Sequence, residues 1–202
     1  MSPEDFAKRT GVSRETLDRL RVYDALLLKW QKAINLIGPR TIEQRWTRHF
    51  LDSAQLLPLG RPGSWLDLGS GAGFPGLVLA IMGAGETHLV ESDLRKALFL
   101  REVARETGAA VTVHQTRAEA LLLPPVATIT ARALAPLVHL LPLAHRFAGP
   151  DTVCLFPKGQ DVADELTEAT RYWSMSLERL PSRTDPAGLI LRISGLRHEP
   201  SA

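Results

Sequence analysis

The chain has 202 residues, 45% of them apolar and 23% charged, which is room for one domain with a real core and too much apolar content for disorder. Its net charge of +2 and pI near 8.9 are mildly basic and do not by themselves demand a nucleic-acid partner. A membrane span is excluded, because the longest apolar stretch, Ala133 to Leu143, is broken by Pro136, His139 and Pro142.

At the amino terminus, Glu4, Asp5, Lys8 and Arg9 with no apolar run after them speak against a secretory leader. Residues 1–50 carry ten basic and six acidic side chains, a local excess that reads either as a solvated surface or as a flank that meets phosphates. These fifty residues read as helical. Ser13 suits an N-cap, and Leu17, Leu20, Tyr23, Leu27, Trp30 and Ile34 follow as one apolar stripe up to Gly38-Pro39. Thr41 to Gln44 reads as a capping box that opens a second helix through about Leu51, with Arg45, Arg48 and Asp52 on one charged face.

Arg61-Pro62-Gly63 marks a boundary between a helical extension, 1–60, and a second unit, 61–202. Strands are predicted at Trp65–Leu68, Thr87–Val90, Ala110–Val113, Val126–Thr130 and Thr152–Phe156. Helices are predicted at Pro75–Met82, from Asp93 as cap to about Glu106, at Leu137–Phe147 and at Asp161–Arg171. Met175–Leu180 and Leu189–Ile193 read as a closing antiparallel pair. The one cysteine, Cys154, lies in the fifth strand. It can make neither an internal disulfide nor a thiolate zinc site alone, which fits a reducing cytoplasm. Strand and helix in alternation imply an α/β fold with a parallel sheet, whose ligand site lies beyond the carboxyl ends of the strands.

The strongest chemical signal is Leu66-Asp67-Leu68-Gly69-Ser70-Gly71-Ala72-Gly73-Phe74-Pro75-Gly76, directly after a strand and opening a helix. Glycines there permit positive φ and let a ligand lie against the backbone. Glu91 ends the next strand, twenty residues after Gly71, near the offset at which a carboxylate grips a ribose diol. Asp67 before the glycines would repel a pyrophosphate and attract an amino group, and bulky Phe74-Pro75 follow Gly73. A ligand with a ribose at one end and an ammonium group at the other fits better than a dinucleotide, which describes S-adenosylmethionine.

At these residues the chain resembles the class I S-adenosylmethionine-dependent methyltransferases, whose fold is Rossmann-like with a mostly parallel seven-stranded sheet. Asn35-Leu36-Ile37, Arg48-His49-Phe50-Leu51-Asp52-Ser53, the glycine segment, Ala131-Arg132-Ala133 and Pro157-Lys158-Gly159 further resemble, in order, the motifs of the RsmG (GidB) family. Ile37 and Ala131 stand where that family commonly has Thr and Ser. The resemblance implies methylation of N7 of a guanine in the 530 loop of 16S ribosomal RNA. It also implies a cofactor site at Gly69, Phe74, Ala118, Glu119 and Arg132. Asp67, Gly71 and Glu91 join that site from the reading of the loop.

Neutral guanine N7 exposes a lone pair and has no proton to lose, so no general base is expected and rate enhancement should come from in-line positioning. Arg132, at the end of the fourth strand, is the candidate for orienting substrate or cofactor, with Glu119 or Asp67 as its alternative structural partner. Arg48, His49 and Lys158 are candidates for contact with the RNA, and no residue cluster has metal-ligand spacing. N7 faces the deep, narrow major groove of A-form RNA, so the target is expected in a loop or distorted pair. Expected partners are the small ribosomal subunit or its precursor, with the protein a monomer. Competing readings are a methyltransferase of small molecules or proteins, an RNA-binding module without catalysis, and a dinucleotide oxidoreductase.

Overall fold

The computed structural model describes residues 1–159 and 162–199. Seven strands form one sheet: β1 (Trp65–Leu68), β2 (Thr87–Val90), β3 (Val111–His114), β4 (Val126–Ala131), β5 (Ala148–Lys158), β6 (Trp173–Pro181) and β7 (Leu189–His198). Their order is β3-β2-β1-β4-β5-β7-β6; β1 to β5 are parallel, and β7 runs antiparallel to β5 and β6. This is the sheet of the class I methyltransferase fold. Strand order reverses between β1 and β4, which opens a crevice beyond their carboxyl ends.

The helices are α1 (Pro3–Thr10), α2 (Arg14–Gln31), α3 (Asp52–Ala54), α4 (Gly76–Ile81), α5 (Leu94–Thr107), α6 (Leu137–His145) and α7 (Val162–Ala169). Ser13 caps α2 by accepting from the Thr16 amide, and Asp93 caps α5 by accepting from the Lys96 amide, as their side-chain chemistry predicts. The helix expected from Asp161 begins at Val162; Asp161 itself lies outside the described residues. Helix α1 buries only Phe6, so no apolar stripe announces it. Its signature is the reciprocal Ser2–Asp5 capping box, with Gly11 closing it in the left-handed region.

The second helix differs from expectation. Thr41 is no cap: it ends a 3₁₀ turn, Pro39–Thr41, and a π-helical turn, Trp46–Leu51, leads into α3. The Thr41 hydroxyl is already committed, donating to the Gly38 carbonyl. The expected single charged face is divided as well. Arg45 pairs with Asp24 on α2, whereas Asp52 points to Arg132 after β4. The α2 helix itself stops at Gln31, whose amide side chain holds Leu36 and Ile37.

A small cluster packs Leu56 and Leu79 against Trp65, Val153 and Leu155, and two larger cores lie on opposite faces of the sheet. One joins Leu66, Leu68, Ile129 and Phe156 with Leu137, Leu140 and Phe147 around α6. The other joins Tyr23, Leu27 and Phe50 of the amino-terminal segment with Phe74, Leu77, Leu89 and Phe99 of the sheet unit. Residues 1–60 therefore share a core with the sheet unit. Each such aromatic, fully buried, contributes roughly 1.5–3 kcal/mol.

Candidate active site

A cleft of about 750 Å³ opens at the reversal point, within the range of small-molecule sites. Its floor is the turn after β1 and the ends of β2 and β4. One wall is residues 36–52, and another is the loop between β6 and β7.

The turn after β1 builds the floor from backbone. Gly69, Gly71 and Gly73 all have positive φ, at 67°, 55° and 92°. They do different jobs. Gly69 and Gly71 line the cleft, and a Cβ on Gly71 would meet only the Gly69 carbonyl oxygen, at 3.8 Å. Gly73 is not a lining residue; its missing side chain makes room for Tyr23 and Leu77. Gly76 makes room for Leu89 and Asp67, so helix α4 can pack closely on the sheet.

Glu91 stands opposite Gly71. One carboxylate oxygen accepts from the Gly71 amide at 2.9 Å, the other from the Asp93 amide at 2.7 Å. Each oxygen keeps a further lone pair, which is what two vicinal hydroxyls require. Phe74, Ala118 and Glu119 also line the cleft, Ala118 and Glu119 from a 3₁₀ turn after β3.

Asp67 needs correction. Its side chain is buried beneath the turn and does not line the cleft. It accepts from the Gly76 amide at 3.2 Å and from the Thr130 hydroxyl at 2.8 Å. Burial raises its carboxyl to about 6, against the lowering effect of the Thr130 bond. Asp67 thus fixes the turn to α4 and β4 from behind, and does not offer a carboxylate to a ligand amine.

Arg132 is paired with neither Glu119 nor Asp67. It makes an ion pair with Asp52 at 3.1 Å, donates to the Arg48 carbonyl at 3.0 Å, and meets His49 Nδ1 at 3.0 Å. Its guanidinium also lies 5.3 Å from the Phe74 ring centroid. Since Arg132 can only donate, His49 Nδ1 must accept, and the imidazole is the neutral Nε2–H form. Nε2 then donates to the Thr41 hydroxyl at 2.8 Å, whose own proton goes to Gly38. Burial, with Arg132 and Arg48 nearby, holds His49 down at about 3. With both nitrogens occupied, His49 is no proton acceptor for chemistry; it is a spacer stacked on Phe74.

Asp52 is the hub of this wall. Besides Arg132 it accepts from the Thr184 hydroxyl at 2.6 Å and the Gln55 amide at 2.9 Å. Gln55 in turn accepts from the Arg183 amide at 2.8 Å. Asp52, at the start of α3, therefore joins the end of β4 to the β6–β7 loop, and Gln55 adds a second tie to that loop.

Lys158 lines the cleft, yet its ammonium is engaged by Glu165 at 2.7 Å and the Ala135 carbonyl at 3.0 Å. It fastens the loop after β4 to α7, so a free phosphate-binding ammonium is not what the fold provides there. Arg48 is exposed at the cleft mouth. Cys154 is buried, its thiol pushed up to about 12. Among the described residues no group of His, Cys, Asp and Glu is placed to hold a metal ion, and no helix is long and apolar enough to cross a membrane.

Sequence reasoning assigned no site role to Asp52, Thr184 or Tyr23. Asp52 was visible inside Arg48-His49-Phe50-Leu51-Asp52-Ser53, but two of its partners, Arg132 and Thr184, are 80 and 132 residues away along the chain. No local periodicity encodes such pairs.

A model of the rRNA small subunit methyltransferase G (GidB) family matches residues 16–184. Ribosomal RNA small subunit methyltransferase G of Rhodospirillum centenum is 60% identical over 192 residues, 94% of this chain and 89% of the relative. The protein of the same name from Paramagnetospirillum magneticum is 53% identical, over 96% of this chain and 95% of its own. Among solved structures, an O-methyltransferase from Bacillus cereus in complex with SAH aligns with a TM-score of 0.57 at 14% identity, over 85% of this chain and 90% of its own. TYW2 of P. horikoshii in complex with MeSAdo aligns with a TM-score of 0.57 at 15% identity, over 82% of this chain and 65% of its own.

Proposed function

Because the chain belongs to the rRNA small subunit methyltransferase G family, we propose that it methylates N7 of a guanine in the 530 loop of 16S ribosomal RNA, with S-adenosylmethionine as donor. The observation that carries this reading is the corner formed by Gly69, Gly71 and Glu91 at the point where strand order reverses. Open backbone at Gly71, with Leu134 packed over Gly69, faces a carboxylate with spare lone pairs, which suits a nucleoside with free ribose hydroxyls.

When bound, S-adenosylmethionine supplies an electrophilic methyl group on a cationic sulfur. Gly69, Gly71 and Glu91 hold the sugar end, with Phe74, Ala118 and Glu119 along the remaining floor. Arg132, fixed by Asp52 and His49, orients what enters from the mouth. Asp52 also offsets the guanidinium charge beside a base that becomes cationic on N7 methylation. The one histidine among the lining residues, His49, has both nitrogens occupied, in keeping with an acceptor that loses no proton before attack. Catalysis then rests on in-line positioning. Arg48, exposed at the mouth, contacts RNA phosphate. The protein works as a monomer in the cytoplasm, on the small subunit or its precursor.

The test is transfer of tritiated methyl from S-adenosylmethionine to small-subunit RNA, naked and within the subunit, followed by mapping of the labelled base. Label at guanine N7 in the 530 loop is expected. Label on another base refutes the target while leaving the fold untouched.

A further inference from the structure

Tyr23 lies on α2, outside the sheet unit, and is completely buried behind the glycine turn. Its ring stacks on Phe74, with centroids 5.2 Å apart and planes inclined by 23°. Its hydroxyl donates to the Ala72 carbonyl, in the middle of the turn. Burial pushes the phenol well above its ordinary range, so the proton needed for that bond is always present.

Packing alone does not account for the hydroxyl. Phenylalanine would fill the same volume, and a buried hydroxyl is costly unless it is hydrogen-bonded. The one bond made by this hydroxyl goes to the turn. The turn is also shaped around it, since a Cβ on Gly73 would lie 2.7 Å from the phenolic oxygen. Gly73 thus makes room for a side chain of α2. On the other side of the same three residues, the Gly71 amide donates to Glu91. One peptide segment is gripped from behind by α2 and from in front by the end of β2.

The geometry points to Tyr23 as a positioning residue for cofactor binding, acting through the Ala72 carbonyl on the Gly69–Gly71 wall. This rests on the reading of the cleft as an S-adenosylmethionine site. Without the phenolic bond Ala72 loses its tie to α2, while the flanking residues keep theirs to Glu91, Val90 and Asp67. The cost of ordering the turn falls on cofactor binding, because a ligand held by backbone needs the backbone held first.

The experiment is Tyr23→Phe, which keeps the ring and removes one bond, with Leu27→Ala as a control that weakens α2 through its core side chain. Calorimetry with S-adenosylmethionine and S-adenosylhomocysteine, thermal melting and steady-state kinetics on small-subunit RNA are read together. For Tyr23→Phe, Kd and KM for the cofactor are expected to rise about fivefold to tenfold, as for the loss of one hydrogen bond. The kcat at saturating cofactor and the KM for RNA stay within about twofold. Leu27→Ala lowers the melting temperature with cofactor Kd unchanged. If Tyr23→Phe likewise lowers only the melting temperature, Tyr23 is structural and the inference is overturned. If the wild-type protein itself fails to bind S-adenosylmethionine, the reading of the cleft falls and takes this inference with it.

Discussion

The cleft has two walls built by different means. The wall after β1 and β2 comes from two successive strand ends: Gly69 and Gly71 in positive φ, and Glu91, twenty residues on, bonded to the Gly71 and Asp93 amides. The opposite wall is made of side chains from distant segments, with Asp52 joining Arg132, Gln55 and Thr184. Backbone defines the first wall; side chains, with Asp52 at their centre, define the second.

The largest effect is expected at the hub. Asp52→Ala leaves Arg132 without its carboxylate and removes the Thr184 tie to the β6–β7 loop, which Gln55 still holds through the Arg183 amide. Breaking a mostly buried ion pair costs about 3 kcal/mol, so urea unfolding should show a loss of that order, with methyl transfer sharply reduced. A loss under about 1 kcal/mol with normal activity would mean that the wall is held by something else.

Next is the backbone wall. Glu91→Gln keeps one acceptor but removes the charge, and cofactor affinity measured by calorimetry should fall about 10- to 100-fold, as for loss of a charge-assisted bond. The melting temperature without ligand should change little beside that of Asp52→Ala.

Two buried ionisable groups separate the walls by pH. His49 is held neutral down to about 3, against an ordinary 6.5. The unfolded chain takes up a proton that the folded one refuses, so wild type loses stability relative to His49→Gln as pH falls from about 6.5 toward 3. Asp67 goes the other way. Its folded value of about 6 exceeds the ordinary 3.8, so wild type gains stability relative to Asp67→Asn as pH falls from about 6 to 3.8. Denaturation at stepped pH reads both differences, and equal slopes would refute the opposed assignments.

The smallest effect distinguishes Arg48 from Lys158, two of the cations that line the cleft. Arg48→Met should weaken RNA binding and lower its salt slope by about one, as for one lost phosphate contact. Lys158→Met should leave the salt slope unchanged and cost stability on the order of 1 kcal/mol through Glu165. A reduced slope for Lys158→Met would return that lysine to the RNA interface.

Much of the fold was legible in the residue pattern. Strand β1 falls where Trp65–Leu68 predicts it, and the Ser13 and Asp93 caps act as their chemistry requires. The turn after Thr41 was misread because a capping box and a 3₁₀ turn leading to a π-turn use the same residue types. The Thr41 hydroxyl turns back to the Gly38 carbonyl three residues earlier and accepts from His49, which Arg132 holds in place from 83 residues away.

The sequence by itself determined the parallel sheet, the glycine turn after β1 and the carboxylate twenty residues beyond Gly71, because these depend on local periodicity and on backbone freedom. Only the tertiary structure decided which charges remain available. Asp67 withdrew beneath the turn, Lys158 closed on Glu165, and Arg132 took Asp52. An ionised side chain is satisfied by whichever partner the chain folds against it, and that pairing carries no period in the sequence.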